Sequence, residues 1–222
     1  MDMLAWMKQY VDVMRTAFGE RVVFIGLQGS RSRGEGREDS DIDVVMILDR
    51  MDDTDLSTYA ALLDTLPNRE LICGFVAGRE ELEAWEKYDL FQLIRDTTPY
   101  VGSLEELFAT ISRADVLRAV RVGAGNVYHI ANHNRLHGKE PGTVAGLYKQ
   151  AAFVLQAKAW LETGVYARRM ADLLPLLHEE DAGILRTAIT LKQGAMEPDV
   201  AAMSPVLRQW AAEQLRYASM TA

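Results

Sequence analysis

The sequence VVFIGLQGSRSRGEGREDSDIDVVMIL, residues 22–48, decides the fold. Its first residues are β-branched or aromatic and lead to the small pair Gly29-Ser30, which is typical of a buried strand that ends in a turn. A second apolar run follows after ten residues and opens with Asp41-Ile42-Asp43. The pattern therefore predicts two strands, residues 22–27 and 41–48, with a short helix that begins after Gly29-Ser30.

Two aspartates open the second predicted strand. Residues two apart on a strand point to the same face, so Asp41 and Asp43 are expected to present their carboxylates together, with Ile42 on the other face. The two negative carboxylates repel each other unless a cation lies between them. Carboxylate oxygens are preferred ligands of Mg²⁺. The sequence predicts Asp41 and Asp43 as ligands of Mg²⁺, with Mn²⁺ as an alternative metal; the other interpretation is a pair of surface aspartates.

Gly29 and Ser30 stand where a strand passes into a helix. Glycine lets another group approach the backbone closely, and the amides at the start of a helix point at an anion. These two residues are therefore predicted to bind phosphate. The alternative role of Ser30 is to cap the short helix, and the two roles are compatible.

The complete arrangement resembles the DNA polymerase beta-like nucleotidyltransferase superfamily, whose signature is a Gly-Ser or Gly-Gly turn, a spacer of this length and an acidic-hydrophobic-acidic strand. Within it the chain is similar to small bacterial proteins related to aminoglycoside nucleotidyltransferases and to minimal nucleotidyltransferases. Gln28 departs from the pattern, which usually has a hydrophobic residue there. The resemblance implies magnesium-dependent transfer of a nucleoside monophosphate, AMP from ATP, to a hydroxyl of an aminoglycoside-like small molecule or of a protein, with release of pyrophosphate.

The same resemblance implies roles for further side chains. Ser30 would hydrogen-bond the β- or γ-phosphate, and Arg33 fits the Ser-x-x-Arg-Gly pattern as a contact to the triphosphate. The family generally has a third carboxylate on its third strand, expected here at residues 69–76. Glu70 is the acid of that segment and the predicted general base, a role that contributes a factor of order 10²–10⁴. Asp89 and Asp96 are the alternatives.

Composition narrows the protein class and its partners. The 222 residues have no apolar run near the roughly 20 needed to span a bilayer. One cysteine, Cys73, excludes an internal disulfide and is expected in the core, and the N-terminal residues do not resemble a signal peptide. We therefore expect a cytoplasmic protein that acts without a membrane.

Net charge argues against an extended nucleic acid as a partner, because such binding relies on basic groups that neutralise phosphates. The chain carries a net charge of −8, with 11 basic against 22 acidic residues in 1–110 and 13 against 10 in 111–222. The expected partners are a nucleoside triphosphate and a small-molecule or protein acceptor. The sequence leaves the oligomeric state open, a homodimer included.

The order of elements predicts an α+β protein, with a small mixed sheet and helices followed by a helical bundle. Hydrophobic periodicity and breakers predict the first half as helix 2–18, the two strands above, helix 53–66, strand 71–76, helix 79–88 and strand 90–94. The second half is predicted as helices 115–137, 143–162, 182–192 and 199–219, which suit a four-helix bundle. This gives a nucleotidyltransferase domain at 1–110 and a helical domain at 111–222, similar to HEPN-like domains, with the boundary at 98–113.

Some candidate residues of the second half keep alternative interpretations. His129, His133 and His137 recur every four residues and lie on one helix face, as a polar stripe, as part of an acceptor pocket or as metal ligands. On the predicted helix 143–162, Tyr148, Lys149 and Lys158 could face the nucleotide or solvent.

The alternative function is that of an antitoxin-type or regulatory nucleotide-binding protein that acts by binding a partner. The ribonuclease motif of HEPN proteins, an arginine six residues before a histidine, does not occur in the second half. The bundle is therefore not expected to be a ribonuclease.

Overall fold

The computed structural model describes residues 1–107 and 111–221. It divides into two compact units, one of residues 1–86 and 93–107 and the other of residues 87–92 and 111–221. Residues 87–92 thus group with the helices, although the sequence placed them in the first domain. Residues 108–110, inside the predicted boundary, lie outside the described residues.

The first unit begins with helix α1, Met3–Phe18, as predicted. The carboxylate of Asp2 accepts hydrogen bonds from the amides of Leu4 and Ala5, which fixes the start of the helix. One face of α1 is apolar and buried, with side chains three or four residues apart: Trp6, Met7, Tyr10, Met14 and Phe18. Helix α1 therefore supplies the apolar face that the core of the first unit needs.

The rest of the first unit alternates strands and helices. In chain order these are β1 (Val22–Leu27), α2 (Gly29–Ser32), β2 (Ile42–Leu48), α3 (Asp53–Leu63), β3 (Ile72–Gly78), α4 (Arg79–Glu83), α5 (Lys87–Asp96), β4 (Thr98–Val101) and α6 (Leu104–Leu107). The strands form one mixed sheet in the order β3-β2-β1-β4. β1 runs antiparallel to β2 and β4, and β2 runs parallel to β3. The predicted α+β fold with a small mixed sheet is confirmed.

The predicted strand 90–94 is wrong, because these residues form the middle of α5. Leu90 and Phe91 are buried, and a short apolar run of this kind is compatible with a strand or with a helix. Asp89 lies in the first turn of α5 and Arg95 in the last, so both charges favour the helix. The predicted helix 79–88 is also divided, since α4 ends at Glu83 and α5 begins at Lys87.

Strand β4 was not predicted from the sequence, because proline is disfavoured inside a sheet. β4 is an edge strand, and an edge position tolerates proline because one side of the strand needs no amide donor. Thr98 and Pro99 pair with Leu27 and Gly26 of β1. The sheet therefore continues past residue 97, where the sequence placed the start of the boundary region.

The second unit is helical, as predicted. Its long helices are α7 (Arg113–His133), which continues as a π-helical turn (Asn134–Gly138), α8 (Pro141–Thr163), α10 (Glu179–Lys192) and α11 (Val200–Met220), and a short helix α9 (Met170–Leu173) precedes α10. Helix α7 approaches α8 closely at Gly123, where an added Cβ would lie 2.6 Å from Cγ2 of Val154. Among the described residues, no helix has both the length and the apolar character that crossing a bilayer requires.

Candidate active site

The antiparallel pairing of β1 and β2 brings the two halves of the motif together. Leu27 lies opposite Val44, and the amide of Gln28 continues the ladder with a 2.8 Å hydrogen bond to the carbonyl of Asp43. The next residues along the chain are Gly29 and Ser30. The turn at the end of β1 therefore lies beside the aspartate near the start of β2.

Gly29 packs directly against the Asp43 side chain. Its φ is +70°, in the left-handed region that favours glycine. A Cβ at this position would collide with Oδ2 of Asp43 and would lie 2.8 Å from its Cγ. The turn thus packs tightly against a carboxylate, and only glycine at position 29 leaves room for that carboxylate.

Ser30 is half-buried in the single turn of helix α2. Gln28 is the cap residue, and no side chain of the described residues caps this helix, so the alternative role of Ser30 as its cap is not observed. Helix α2 has only four residues, so the dipole available to an anion is small. Phosphate binding here would rest on individual amides and the Ser30 hydroxyl rather than on a long helix.

Asp41 and Asp43 differ in their surroundings. The strand begins at Ile42, so Asp41 lies just before it and is exposed, whereas Asp43 is half-buried within β2. In the parallel pairing with β3, Ile42 lies opposite Ile72 and Asp43 opposite Cys73. The residue beside Asp43 on the neighbouring strand is therefore a cysteine, and it is exposed rather than in the core as predicted.

Glu70 is not on the third strand. It lies in a 3₁₀ turn, Arg69–Leu71, before β3 begins at Ile72, and it is exposed. Over the described chain, no three or more His, Cys, Asp or Glu side chains are arranged to hold a metal ion. The carboxylates at the turn are thus the pair Asp41 and Asp43.

The three arginines of the turn have different partners. Arg33 forms a 2.7 Å ion pair with Asp96 and a 3.4 Å contact with Glu35, and its side chain is 14% exposed. Arg31 donates to backbone carbonyls of the following loop, whereas Arg37 is exposed and pairs with Asp39. The guanidinium of Arg33, predicted to contact the triphosphate, therefore already binds a buried carboxylate.

A second link fixes helix α2 to the sheet. The hydroxyls of Ser32 and Thr98 are 2.8 Å apart, next to the ion pair that joins Arg33 to the end of α5. These contacts connect residues more than 60 positions apart in the sequence. Sequence reasoning missed them, because neither the partner of Arg33 nor the strand that carries Thr98 was predicted.

The histidine stripe is exposed. The ring centroids of His129 and His133 are 6.2 Å apart and those of His133 and His137 are 4.9 Å apart. They face the same side, as the spacing predicted, and belong to no three-donor group in the described residues.

The three residues proposed on α8 have separate surroundings. Tyr148 is buried, which raises the pKa of its hydroxyl, and Lys149 is exposed. Lys158 lies 2.6 Å from the buried carboxylate of Asp181, so it faces neither solvent nor a nucleotide.

A cavity of about 410 Å³ lies within the helical unit, between the first turns of α5 and helices α7 and α8. Its walls combine aromatic rings with polar groups, and none of its lining residues in the described chain is Lys or Arg. The aromatic residues are Tyr88, Phe91, Phe153 and Tyr166, and the polar ones are Asp89, Gln92, Asn126 and Gln150. Sequence reasoning missed this cavity because residues 90–94 were assigned to a strand.

Comparisons with known proteins agree with this geometry. Residues 7–99 match the nucleotidyltransferase domain family. A solved structure of a spectinomycin adenyltransferase from Enterococcus faecialis, with ATP and spectinomycin, is similar over 96% of this chain and 99% of that chain, at 11% identity and a TM-score of 0.63. No match was found among curated protein sequences.

The family match covers α1 from residue 7 onward, the Gly29-Ser30 turn, both aspartates and most of the sheet. The structural similarity extends the shared fold over nearly the whole chain. The chain therefore carries a nucleotidyltransferase domain at residues 7–99, and the comparisons support a nucleotidyltransferase enzyme of the DNA polymerase beta-like superfamily.

Proposed function

We propose that the protein transfers AMP from ATP to a hydroxyl group of a small polar molecule in a reaction that depends on Mg²⁺. The observation that carries the proposal is the contact between Gly29 and Asp43, which sets the glycine turn against a carboxylate. Oxygen donors are the ligands that Mg²⁺ prefers, so the donor chemistry of Asp41 and Asp43 fits this metal, and Mn²⁺ as an alternative. A bound cation would neutralise charge on the triphosphate during displacement.

The protein groups have separate tasks in this proposal. Asp41 and Asp43 would hold the cation, and the backbone of Gly29 with the hydroxyl of Ser30 would hold the β- and γ-phosphates. The acceptor oxygen attacks the α-phosphorus, a new P–O bond forms, and the bond to the β-phosphate oxygen breaks. Pyrophosphate leaves and the hydroxyl proton passes to a base.

The general base is a separate question. Glu70 lies outside β3, and its side chain is exposed, so its position does not favour it for this role. Asp89 lines the cavity of the helical unit, and its carboxylate is the acidic group of that wall. Both side chains are exposed, so Asp89 and Glu70 both stay candidates for the base. Asp96 is already engaged by Arg33 in a 2.7 Å ion pair, so its carboxylate is less available to an acceptor hydroxyl.

The acceptor class follows from the cavity in the helical unit. Its volume suits a small molecule, and its carboxamides and carboxylate suit hydroxyl and amino groups. Among the described lining residues, the Asp89 carboxylate suits the amino group of an acceptor. The spectinomycin of the similar enzyme has this chemistry, which supports an aminocyclitol or aminoglycoside as acceptor.

The test uses ATP labelled at the α-phosphate, Mg²⁺ and a panel of aminoglycosides and aminocyclitols. Label should move to an acceptor and pyrophosphate should appear in equal amount. The Asp43→Asn variant should lose both products, whereas Asp39→Asn, at an exposed position of the same loop, should keep them. ATP binding without pyrophosphate release with any acceptor would favour the regulatory alternative. Label on a co-purified protein would replace the small-molecule acceptor with a protein.

A further inference from the structure

The side chain of Arg31 is bound inside the loop that leads from α2 to β2. Its Nε donates to the carbonyls of Ser40 at 2.9 Å and Asp41 at 3.2 Å, and its Nη2 donates to those of Glu38 at 3.1 Å and Ser40 at 2.6 Å. One guanidinium therefore gathers three carbonyls of a loop that contains two glycines, Gly34 and Gly36.

The loop is also shaped around the stem of this arginine. A Cβ added at Gly36 would lie 2.7 Å from Cγ and 3.2 Å from Cα of Arg31. Gly36 does not have a positive φ, so its lack of a side chain is explained by this close packing rather than by backbone conformation. Packing and hydrogen bonds thus independently connect Arg31 with the same segment.

Asp41 needs such support because the sheet does not supply it. The ladder between β2 and β3 begins at Ile42, and the pairing of β2 with β1 begins at Val44. Asp41 lies before both and is exposed. Its carbonyl and that of Ser40 are held by Arg31.

We infer that Arg31 is a positioning residue, which fixes the backbone at Ser40 and Asp41 and thereby aims the Asp41 carboxylate at the cation. The inference rests on the proposed function, because it takes Asp41 and Asp43 as the cation ligands. A planar guanidinium presents its N–H donors in a fixed fork that reaches three carbonyls at once, whereas the three donors of a lysine ammonium share one nitrogen at the end of a flexible stem. With these carbonyls bound, Arg31 acts through Asp41 and not as a contact to the triphosphate.

Cation affinity distinguishes a positioning role of Arg31 from a purely electrostatic one, because the two predict opposite changes in affinity when Arg31 is replaced. The positive charge of Arg31 lies close to Asp41 and repels a bound cation. If this repulsion were the only effect, removing the charge would tighten cation binding. Loss of positioning would weaken it. Groups that orient metal ligands typically change metal affinity by about 10–100-fold when removed.

The experiment titrates Mn²⁺ alone into the nucleotide-free protein and follows water-proton relaxation. Arg31→Gln and Arg31→Lys should both raise the Mn²⁺ dissociation constant by about tenfold or more. The matched control is Arg37→Gln, which removes the same charge from an exposed arginine of the same loop and should leave the constant unchanged. Gly36→Ala, which displaces the Arg31 stem without changing any charge, should weaken Mn²⁺ in the same direction.

Unchanged or tighter Mn²⁺ binding in Arg31→Gln would overturn the inference. If Arg31→Gln does not fold, Gly36→Ala and Arg31→Lys decide the question by the same measure. Asp43→Asn is the reference for the site itself. Equal Mn²⁺ binding by Asp43→Asn and the unmodified protein would mean that the proposed cation site is wrong, whatever the result at Arg31.

Discussion

Gly29→Ala perturbs the contact on which the proposed active site depends. The new Cβ would lie 2.8 Å from Cγ of Asp43. Non-bonded carbons pack at roughly 3.5–4.0 Å, so the carboxylate must retreat by about 1 Å. A displacement of about 1 Å at reacting groups can cost about 100-fold in rate. We therefore expect kcat/KM for ATP to fall by about 10² or more, measured as pyrophosphate release.

Stability provides the control for this prediction. Alanine at a left-handed position costs about 1–2 kcal/mol, and overpacking adds about 1–3 kcal/mol. Gly164, which ends α8, has a φ of +75° and open space around its Cα. Gly164→Ala should therefore show only the cost of alanine at a left-handed position, without overpacking. Urea denaturation measures both variants. The reasoning is refuted if Gly29→Ala destabilises no more than Gly164→Ala and keeps its activity within about threefold.

Three further predictions concern contacts outside the turn. Lys158→Met should lower the free energy of unfolding, measured by urea denaturation, by about 3–5 kcal/mol. The reason is that Asp181, whose side chain is 5% exposed, loses its cationic partner. A loss below about 1 kcal/mol would contradict this. Hydrogen bonds from Arg21 lower the pKa of Asp55, so this pair should stabilise the protein above the unfolded-state pKa and lose that effect as the pH falls from about 5. Below about pH 5, the urea midpoint of Asp55→Asn should accordingly fall less with decreasing pH than the midpoint of the unmodified protein. An equal fall of the two midpoints with pH would contradict the prediction. Cys73 is exposed, so a thiol reagent should modify one cysteine per chain without denaturant, and protection until unfolding would place it in the core after all.

The motif could be predicted from sequence because its parts are local. The run before Gly29 and the alternation after Asp41 each fit one strand period, and antiparallel pairing of neighbouring strands is a short-range event. The helices of the second half were equally clear, since their periodicity is long and their ends carry breakers. These features are sufficient for the fold class and for the pair of aspartates.

The errors arose where an element is short or its partner is distant in sequence. Residues 90–94 are apolar enough for either period, and the edge position that accommodates Pro99 is a property of the assembled sheet. β3 begins at Ile72, which leaves Glu70, near the start of the expected segment 69–76, outside the strand and places Cys73 beside Asp43. A strand register of this kind cannot be read from one segment alone.

Arginine partners were the least accessible feature. Arg31, Arg33 and Arg37 lie in one polar turn, and nothing in the sequence indicates the partner of each. The structure gives them carbonyls, a buried carboxylate and an exposed carboxylate, respectively. Asp96, the partner of Arg33, lies 63 residues away, so the pairing depends on how the end of α5 packs within the first unit.

The most direct test of the account is a crystal structure of the protein with Mg²⁺ and an ATP analogue that has a methylene group between the α- and β-phosphates. We predict the metal ion between the carboxylates of Asp41 and Asp43, with the β- and γ-phosphates on Gly29 and Ser30. A triphosphate bound elsewhere in the protein, with neither carboxylate in contact with the metal, would contradict the assignment of the active site.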